Sequence, residues 1–393
     1  MLKTTDREFM LVAACCRPVG QAGRHYAIKT AASAPFDVYR MLAVAHEHRV
    51  EAFVERGLSE IGFELPKDAA ELLAQRVRVA RLQMLRNAGE EVRLSGLFRD
   101  AGIDCVFVKG ATLAILAHGS LAHKSSWDID LLVEHRNINQ SIDLLNAAGY
   151  EFDQAVIGHA DLATRFANRY RESSWTSAKR GITVELHWAL AHNPHILGGI
   201  GMRSERQNVA VGGNHTVPTL STSDLFAFLV VHGMLHRWSR LKWLTDVAAL
   251  IEKSPETLVN LIDHAQAANA GRCAAVAFVL MCDLMGVAIP PELARIIDLD
   301  PRVSQLVDVS IHEMVALEAL DGKPDFRLSH WWKHHTSHLA MAPGLRYRFA
   351  DIWAKLNEPL VARRLYLPRW LLVPDALFFA IPSAFFRRIA AKF

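Results

Sequence analysis

The sequence predicts an α+β fold: a small mixed sheet with flanking helices, embedded in a largely α-helical chain. Three observations predict it. Long stretches on both sides of the centre carry apolar residues at three- and four-residue spacing, the period of one helix face. Between about residues 101 and 188 that period gives way to three short β-rich runs separated by helical segments. One of these runs, Trp127-Asp128-Ile129-Asp130-Leu131-Leu132-Val133, sets two acids at i and i+2 in an otherwise apolar strand.

In chain order, residues 6 to 64 read as helical, with Phe36 to Ala43 continuing into Ala45-His46-Glu47-His48-Arg49-Val50. A long helix follows from Asp68 to Asp100, free of proline, with apolar positions at Leu72, Val77, Leu82, Leu85, Val92 and Leu97. Ile103 to Val108 is the first strand and stops at Lys109-Gly110; Ala111 to Ala117 is a short helix and Gly119 to Ser126 a loop. Ile129 to Val133 is the second strand. Asn137 to Ala148 is a helix with Gly149 as its left-handed cap. Ile182 to Trp188 is the third strand, after a polar turn at Ser177 to Gly181. Pro194 to Gly213 is a loop or an edge hairpin. Ser223-Asp224 can cap a helix running to Trp238, and further helices reach Glu318. Asp321-Gly322-Lys323-Pro324 is a break. The expected units are a helical region over 1–100, an α/β core over 101–220, a helical domain over 221–320 and an aromatic, basic segment over 321–393.

Composition excludes several classes. A formal net charge of +3 over 393 residues gives no strong nucleic-acid signature. Cys15, Cys16, Cys105, Cys273 and Cys282 are odd in number and form no CxxC, which argues against a disulfide framework or structural zinc. The first residues lack the layout of a signal peptide. The most apolar stretch, Trp370 to Phe386, is broken by Pro374, Asp375 and Pro382, so no membrane span is expected. The expected location is the cytoplasm. The tail over 370–393, ending in Arg387, Arg388 and Lys392, either lies peripherally on the inner face of the membrane or packs on the helical body.

The chemistry centres on Asp128 and Asp130. Both project to one side of a strand while Ile129 and Leu131 project to the other. Neighbouring carboxylates repel, and each is costly to bury while ionised. A divalent cation, Mg²⁺ or Mn²⁺, removes both problems and keeps open positions for water or phosphate. Glu185, mid-strand in Val184-Glu185-Leu186-His187-Trp188, is the candidate third ligand, and with it two metals can serve a phosphoryl-type displacement. Lys109-Gly110 ends the preceding strand. The glycine permits close backbone approach, the helix start near Ala111 offers N–H groups to a phosphate, and Lys109 or Lys124 adds positive charge. His187 faces the same way as Glu185 and reads either as a contact to nucleotide or as a core hydrogen bonder.

Taken together, Lys-Gly at a strand end, Asp-Ile-Asp-Leu-Leu-Val, a helix closing in Gly-Tyr and Val-Glu-Leu-His-Trp resemble the DNA polymerase β-like nucleotidyltransferase superfamily. They look specifically like its bacterial family of uncharacterised nucleotidyltransferases, over most of the chain. Ala45 to Val50, Val231 to Trp238 and Arg240 to Asp246 are similar to that family's flanking helices. The resemblance implies a metal-dependent transfer of a nucleoside monophosphate from an NTP substrate to an unidentified acceptor hydroxyl, with release of pyrophosphate. It places the metal and catalytic acids on Asp128, Asp130 and Glu185, and the nucleotide-contacting glycine motif on Lys109-Gly110. Two departures stand out. Ala111 follows Gly110, so no serine hydroxyl is offered, and Lys124 stands where an arginine is expected.

Two other classes stay open on the sequence. One is a non-catalytic binding or scaffold protein on the same fold. The other is a metal phosphohydrolase using His232 and His236, four residues apart on a helix, with Asp246. Asp246 also reads as a buried partner for an arginine or histidine, and Arg240 and Lys242 as solvated cations or phosphate contacts. His330-Trp331-Trp332-Lys333-His334-His335 reads as a metal site or an aromatic interface.

Overall fold

The computed structural model describes residues 6–152, 171–254, 258–316 and 336–356. Four short helices open the chain: α1 (Arg7–Cys15), α2 (Arg24–Ala32), α3 (Val38–Glu47) and α4 (Glu51–Glu60). Their starts are local in origin. Asp6 caps α1 by accepting the Phe9 N–H, and Asp37 caps α3 by accepting those of Tyr39 and Arg40.

The long helix α5 (Lys67–Asp100) joins two cores. Ala69, Leu73 and Val77 near its start belong to the helical core, whereas Met84, Ala88, Leu94 and Phe98 belong to the core beneath the sheet. One expectation is corrected here. Leu82 and Leu85, counted in the apolar stripe, are 50% and 56% exposed, while Gln83, Asn87, Glu90 and Glu91 are buried. The buried face is partly polar because it meets loop backbone, which supplies hydrogen-bond partners that an apolar core would lack.

The α/β unit contains β1 (Cys105–Phe107), α6 (Gly110–His118), β2 (Asp128–Val133), α7 (Ile138–Ala147), β3 (Glu151–Phe152), β4 (Glu172–Ser177) and β5 (Ile182–His187). The strands lie in the order β1-β2-β5-β4-β3. Only β2 and β5 run parallel, and their register sets Asp130 beside Glu185 and Asp128 beside Thr183. β3 and β4 have no counterpart among the strands expected from sequence. In Glu172-Ser173-Ser174-Trp175-Thr176-Ser177 the inward residues are two serines and Trp175, so hydropathy does not reveal its alternation. Arg206–Gly212 (β6) and His215–Leu220 (β7) form a hairpin whose second strand lies beyond Gly213, where the stretch read as loop or edge hairpin ends.

The rest of the described chain is helical: α8 (Thr222–Leu235), α9 (Leu241–Lys253), α10 (Leu258–Ala267), α11 (Gly271–Met285), α12 (Pro291–Leu299), α13 (Pro301–Ala316) and α14 (Leu345–Leu356). Ser221, not Ser223-Asp224, caps α8, its Oγ accepting the Asp224 N–H at 3.2 Å. The Asp224 carboxylate turns inward to His264 at 2.6 Å instead. The helix stops at Leu235, short of the expected Trp238. Arg237 and Trp238 take left-handed φ values of 51° and 49°, and the indole folds back onto Gly233, where a Cβ would meet it at 2.4 Å.

The two sheet faces have different neighbours. Ile129, Leu131 and Val133 of β2 and Ile182, Val184 and Leu186 of β5 pack into the lower core with α5 and α7. The alternate face looks toward the helical body, where Val106, Val108 and Leu132 join the larger core. Asp128, Asp130, Glu185 and His187 lie on that second face. Among the described residues no helix is long and apolar enough to cross a membrane. The 330–335 cluster and the 370–393 tail lie outside the described residues.

Candidate active site

Parallel pairing of β2 and β5 builds the centre. Ligand atoms of Asp130, Glu185 and His187 fall within 4.8 Å of one another. Asp128 sits two residues before Asp130 on the same strand face, with its Oδ1 3.3 Å from the Ser126 hydroxyl. Asp130 is 2% exposed, and Lys109 Nζ stands 2.5 Å from its Oδ1. His187 Nε2 donates to the same oxygen at 3.3 Å, and its Nδ1 lies 3.0 Å from Glu172. Glu185, at 3.6 Å from His187, is half-buried, as is Asp128.

The charges explain the protonation states. Burial by itself would raise Asp130, but Lys109 and His187 outweigh it and hold the carboxyl well below its usual range. Burial would likewise lower His187, yet its contacts with Asp130, Glu172 and Glu185 hold it up at about 10. Glu172, against the same imidazolium, falls to about 2 despite burial. His187 is therefore a protonated tie between β2, β4 and β5.

The long helix α5 orients the loops on either side of the acids. Gln83 donates to Asn87 at 2.9 Å, and Asn87 donates to the Ser126 carbonyl at 3.0 Å, just before Asp128. One turn on, Glu91 Oε1 accepts the Ala111 N–H at 2.9 Å. Gly110 has φ of 63°, and a Cβ there would lie 2.1 Å from the Glu91 carboxylate. So the glycine admits close approach, but of a protein carboxylate. The helix start expected to offer its N–H to a phosphate already gives it to Glu91. Burial, moderated by that hydrogen bond, pushes Glu91 up to about 8.

Lys124 also differs from expectation. Its ammonium is buried and paired with Asp246, whose other oxygen takes His118 at 2.8 Å. A carboxylate buried between two helices needs such a counter-charge, which removes Lys124 from the cleft. Asp246 is thus the buried partner of a histidine and a lysine, and is not joined to His232 and His236. Those two rings are tilted against each other at 4.6 Å between centroids, with Trp243 at 5.8 Å from His232 and stacked on His236 at 5.0 Å. Burial and the nearby positive charge of Lys109 push His232 well down, so it is a neutral wall residue. Among the described residues Asp130, Glu185 and His187 converge closely enough to hold a metal, His187 only after it gives up its proton.

Sequence reading missed Glu172, Glu91 and Arg49. Glu172 lies on the unexpected strand. Glu91 carried a signal: Gln83, Asn87 and Glu91 recur every four residues and form one polar stripe on a helix. Arg49 follows α3 with a left-handed φ of 55°, and its charge lies near Arg240 and Asp128.

Comparison with curated proteins returns no match. A family model described as uncharacterised nucleotidyltransferase matches residues 34–286, which takes in the acids on β2 and β5, the glycine turn and the helices facing them. The chain belongs to this nucleotidyltransferase family.

Proposed function

We propose that the protein is a divalent-metal-dependent transferase that moves a nucleoside monophosphate from an NTP to an acceptor hydroxyl, releasing pyrophosphate. The observation that carries the reading is the convergence of Asp130, Glu185 and His187 on one sheet face, with Asp128 adjacent, in a chain of this family. The donor set fits a hard cation: Asp128, Asp130 and Glu185 supply carboxylate oxygens, and buried Asp130 is held ionised by Lys109 and His187. Those three would hold Mg²⁺ or Mn²⁺, which when bound supplies neutralisation of phosphate charge and polarises the phosphoryl group.

The chain's own groups account for the rest. Lys109 keeps the buried Asp130 carboxylate charged. His187, held by Glu172, fixes the spacing of the two strands' acids. Glu185, half-exposed, accepts the proton of the acceptor hydroxyl as its oxygen bonds to the α-phosphorus. The bond from that phosphorus to the α–β bridging oxygen breaks, and pyrophosphate leaves. The cytoplasm is the compartment that supplies NTP and Mg²⁺.

A second reading, a non-catalytic binding protein on the same fold, draws on one observation: Glu91 occupies the Ala111 N–H at the glycine turn. Pyrophosphate release decides between them. Wild-type protein with Mg²⁺ or Mn²⁺, each NTP and a panel of hydroxyl acceptors is expected to turn over, with Asp128→Asn and Asp130→Asn reduced by about 100-fold or more, as for loss of charge-stabilising groups. Full turnover in those variants would sink the transfer reading. Metal-dependent NTP binding without turnover on any acceptor would favour the second.

A further inference from the structure

Lys109, at the glycine turn, is already engaged by Asp130, so it is not free for a ligand. Lys124 is consumed by Asp246, and the Ala111 N–H by Glu91. Across the cleft, on the helical body, Arg49, Arg240 and Lys242 have no ion-pair partner among the described residues. They belong to two elements that the fold clamps together: His48 Nδ1 accepts the Leu241 N–H at 3.2 Å, which fixes the turn after α3 against the start of α9. Arg49 stays in a left-handed conformation there, at φ of 55°, a strained state that directs its side chain at a functional cost in stability. Lys242 Nζ lies 5.8 Å from the Trp243 ring centroid.

Unpartnered like charges held together repel, and a folded protein keeps them only where something else is gained. Burial, then the positive charges of Lys124 and Arg49, pull Lys242 down to about 7. The acid that offsets this most for both Arg49 and Lys242 is Asp128, the outer carboxylate of the metal set. Arg49 and Lys242 therefore lie by Asp128, where a metal-bound polyphosphate would extend, and Arg240 adjoins Arg49.

We propose that Arg49, Arg240 and Lys242 form the wall that holds the polyphosphate of the nucleotide, on the helical side of the cleft and away from the α6 start. This rests on the nucleotidyl-transfer reading and deepens it by naming what grips the departing pyrophosphate. Two guanidinium forks and one ammonium suit a linear chain of phosphates.

Calorimetry with inorganic tripolyphosphate and with ATP tests it, on the full chain and on Arg49→Gln, Arg240→Gln and Lys242→Gln. Each variant is expected to weaken tripolyphosphate binding by about tenfold, the scale of one charge-assisted contact, and Arg240→Lys to recover part of it. Binding of Mn²⁺ alone should not weaken and the melting temperature should not fall, which separates lost contacts from lost folding. Wild-type affinity in all three variants, with Glu91→Gln or Lys109→Gln altering it instead, would overturn the proposal. So would a wild-type chain that binds no tripolyphosphate. If no acceptor is ever labelled but tripolyphosphate binding still depends on Arg240 and Lys242, the transfer reading fails and this one stands. If turnover proceeds with an unchanged KM for NTP in Arg240→Gln and Lys242→Gln, this one fails and transfer stands.

Discussion

Gly110 and Glu91 form the tightest pairing near the site. Gly110 sits at φ of 63°, and its missing side chain leaves room for a carboxylate that a Cβ would meet at 2.1 Å. Two costs therefore add on Gly110→Ala: roughly 1–2 kcal/mol for a left-handed non-glycine residue, and displacement of Glu91. A double-mutant cycle separates them. By urea denaturation, Gly110→Ala should cost clearly less in a Glu91→Ala background than in wild type, and equal costs would show that the contact is unimportant. Glu91 also sets a pH dependence. Its folded pKa of about 8 lies above the ordinary carboxylate value, so its contribution is fully present below the ordinary value and lost as pH rises through 8. The urea midpoint should therefore fall between pH 5 and pH 8.5, and Glu91→Gln should flatten that slope.

Among elements, α5, α6 and α9 hold the site by buried polar contacts more than by apolar packing. Asp246 on α9 binds both His118 at the end of α6 and Lys124 in the loop before β2. Two points on the approach to the acid strand are tied to the helical body through one carboxylate, itself lowered to about 2 by Lys124 and His118 despite burial. Asp246→Asn strands a buried lysine and should destabilise by roughly 3–5 kcal/mol, measured by chemical denaturation. Lys124→Met combined with Asp246→Leu should recover much of that loss, because it removes both charges together. If Asp246→Asn alone were neutral, the ion pair would not be what joins these elements.

At the scale of the whole molecule, the N-terminal and later helices form one body. Phe9, Leu42 and Phe53 share a core with Phe226, Leu244, Phe278 and Met281. Gln21 reaches the Gly286 carbonyl at 2.6 Å, and Glu252 accepts the Gly20 N–H at 2.8 Å. The division into a helical region over 1–100 and a helical domain over 221–320 thus separates in sequence what packs together in space. The acids lie between this body and the sheet, so a bound metal–nucleotide pair would bridge the two cores. With Mn²⁺ and ATP at about 100 times the dissociation constant, stabilisation of about 2.7 kcal/mol is expected, visible as a rise in melting temperature. Asp130→Asn should abolish that rise, and chelation of the metal should reverse it in wild type.

The sequence by itself determined the class of fold, the acid-bearing strand and the pairing of Asp128 and Asp130 on one face, since strand alternation and apolar runs are local properties. It also singled out Glu185 and Lys109, which lie in short apolar runs where a charge is conspicuous. Only the tertiary structure decided the partners. Glu172 came into the site through a strand whose inward residues include two serines, and Glu91 through the burial of a polar helix stripe. Lys124 left the cleft for Asp246, far from it in sequence, and Arg49 reached the cleft through His48. Each of these depends on which distant charge a buried group finds, and that is set by how the two cores close on one another, not by any local pattern.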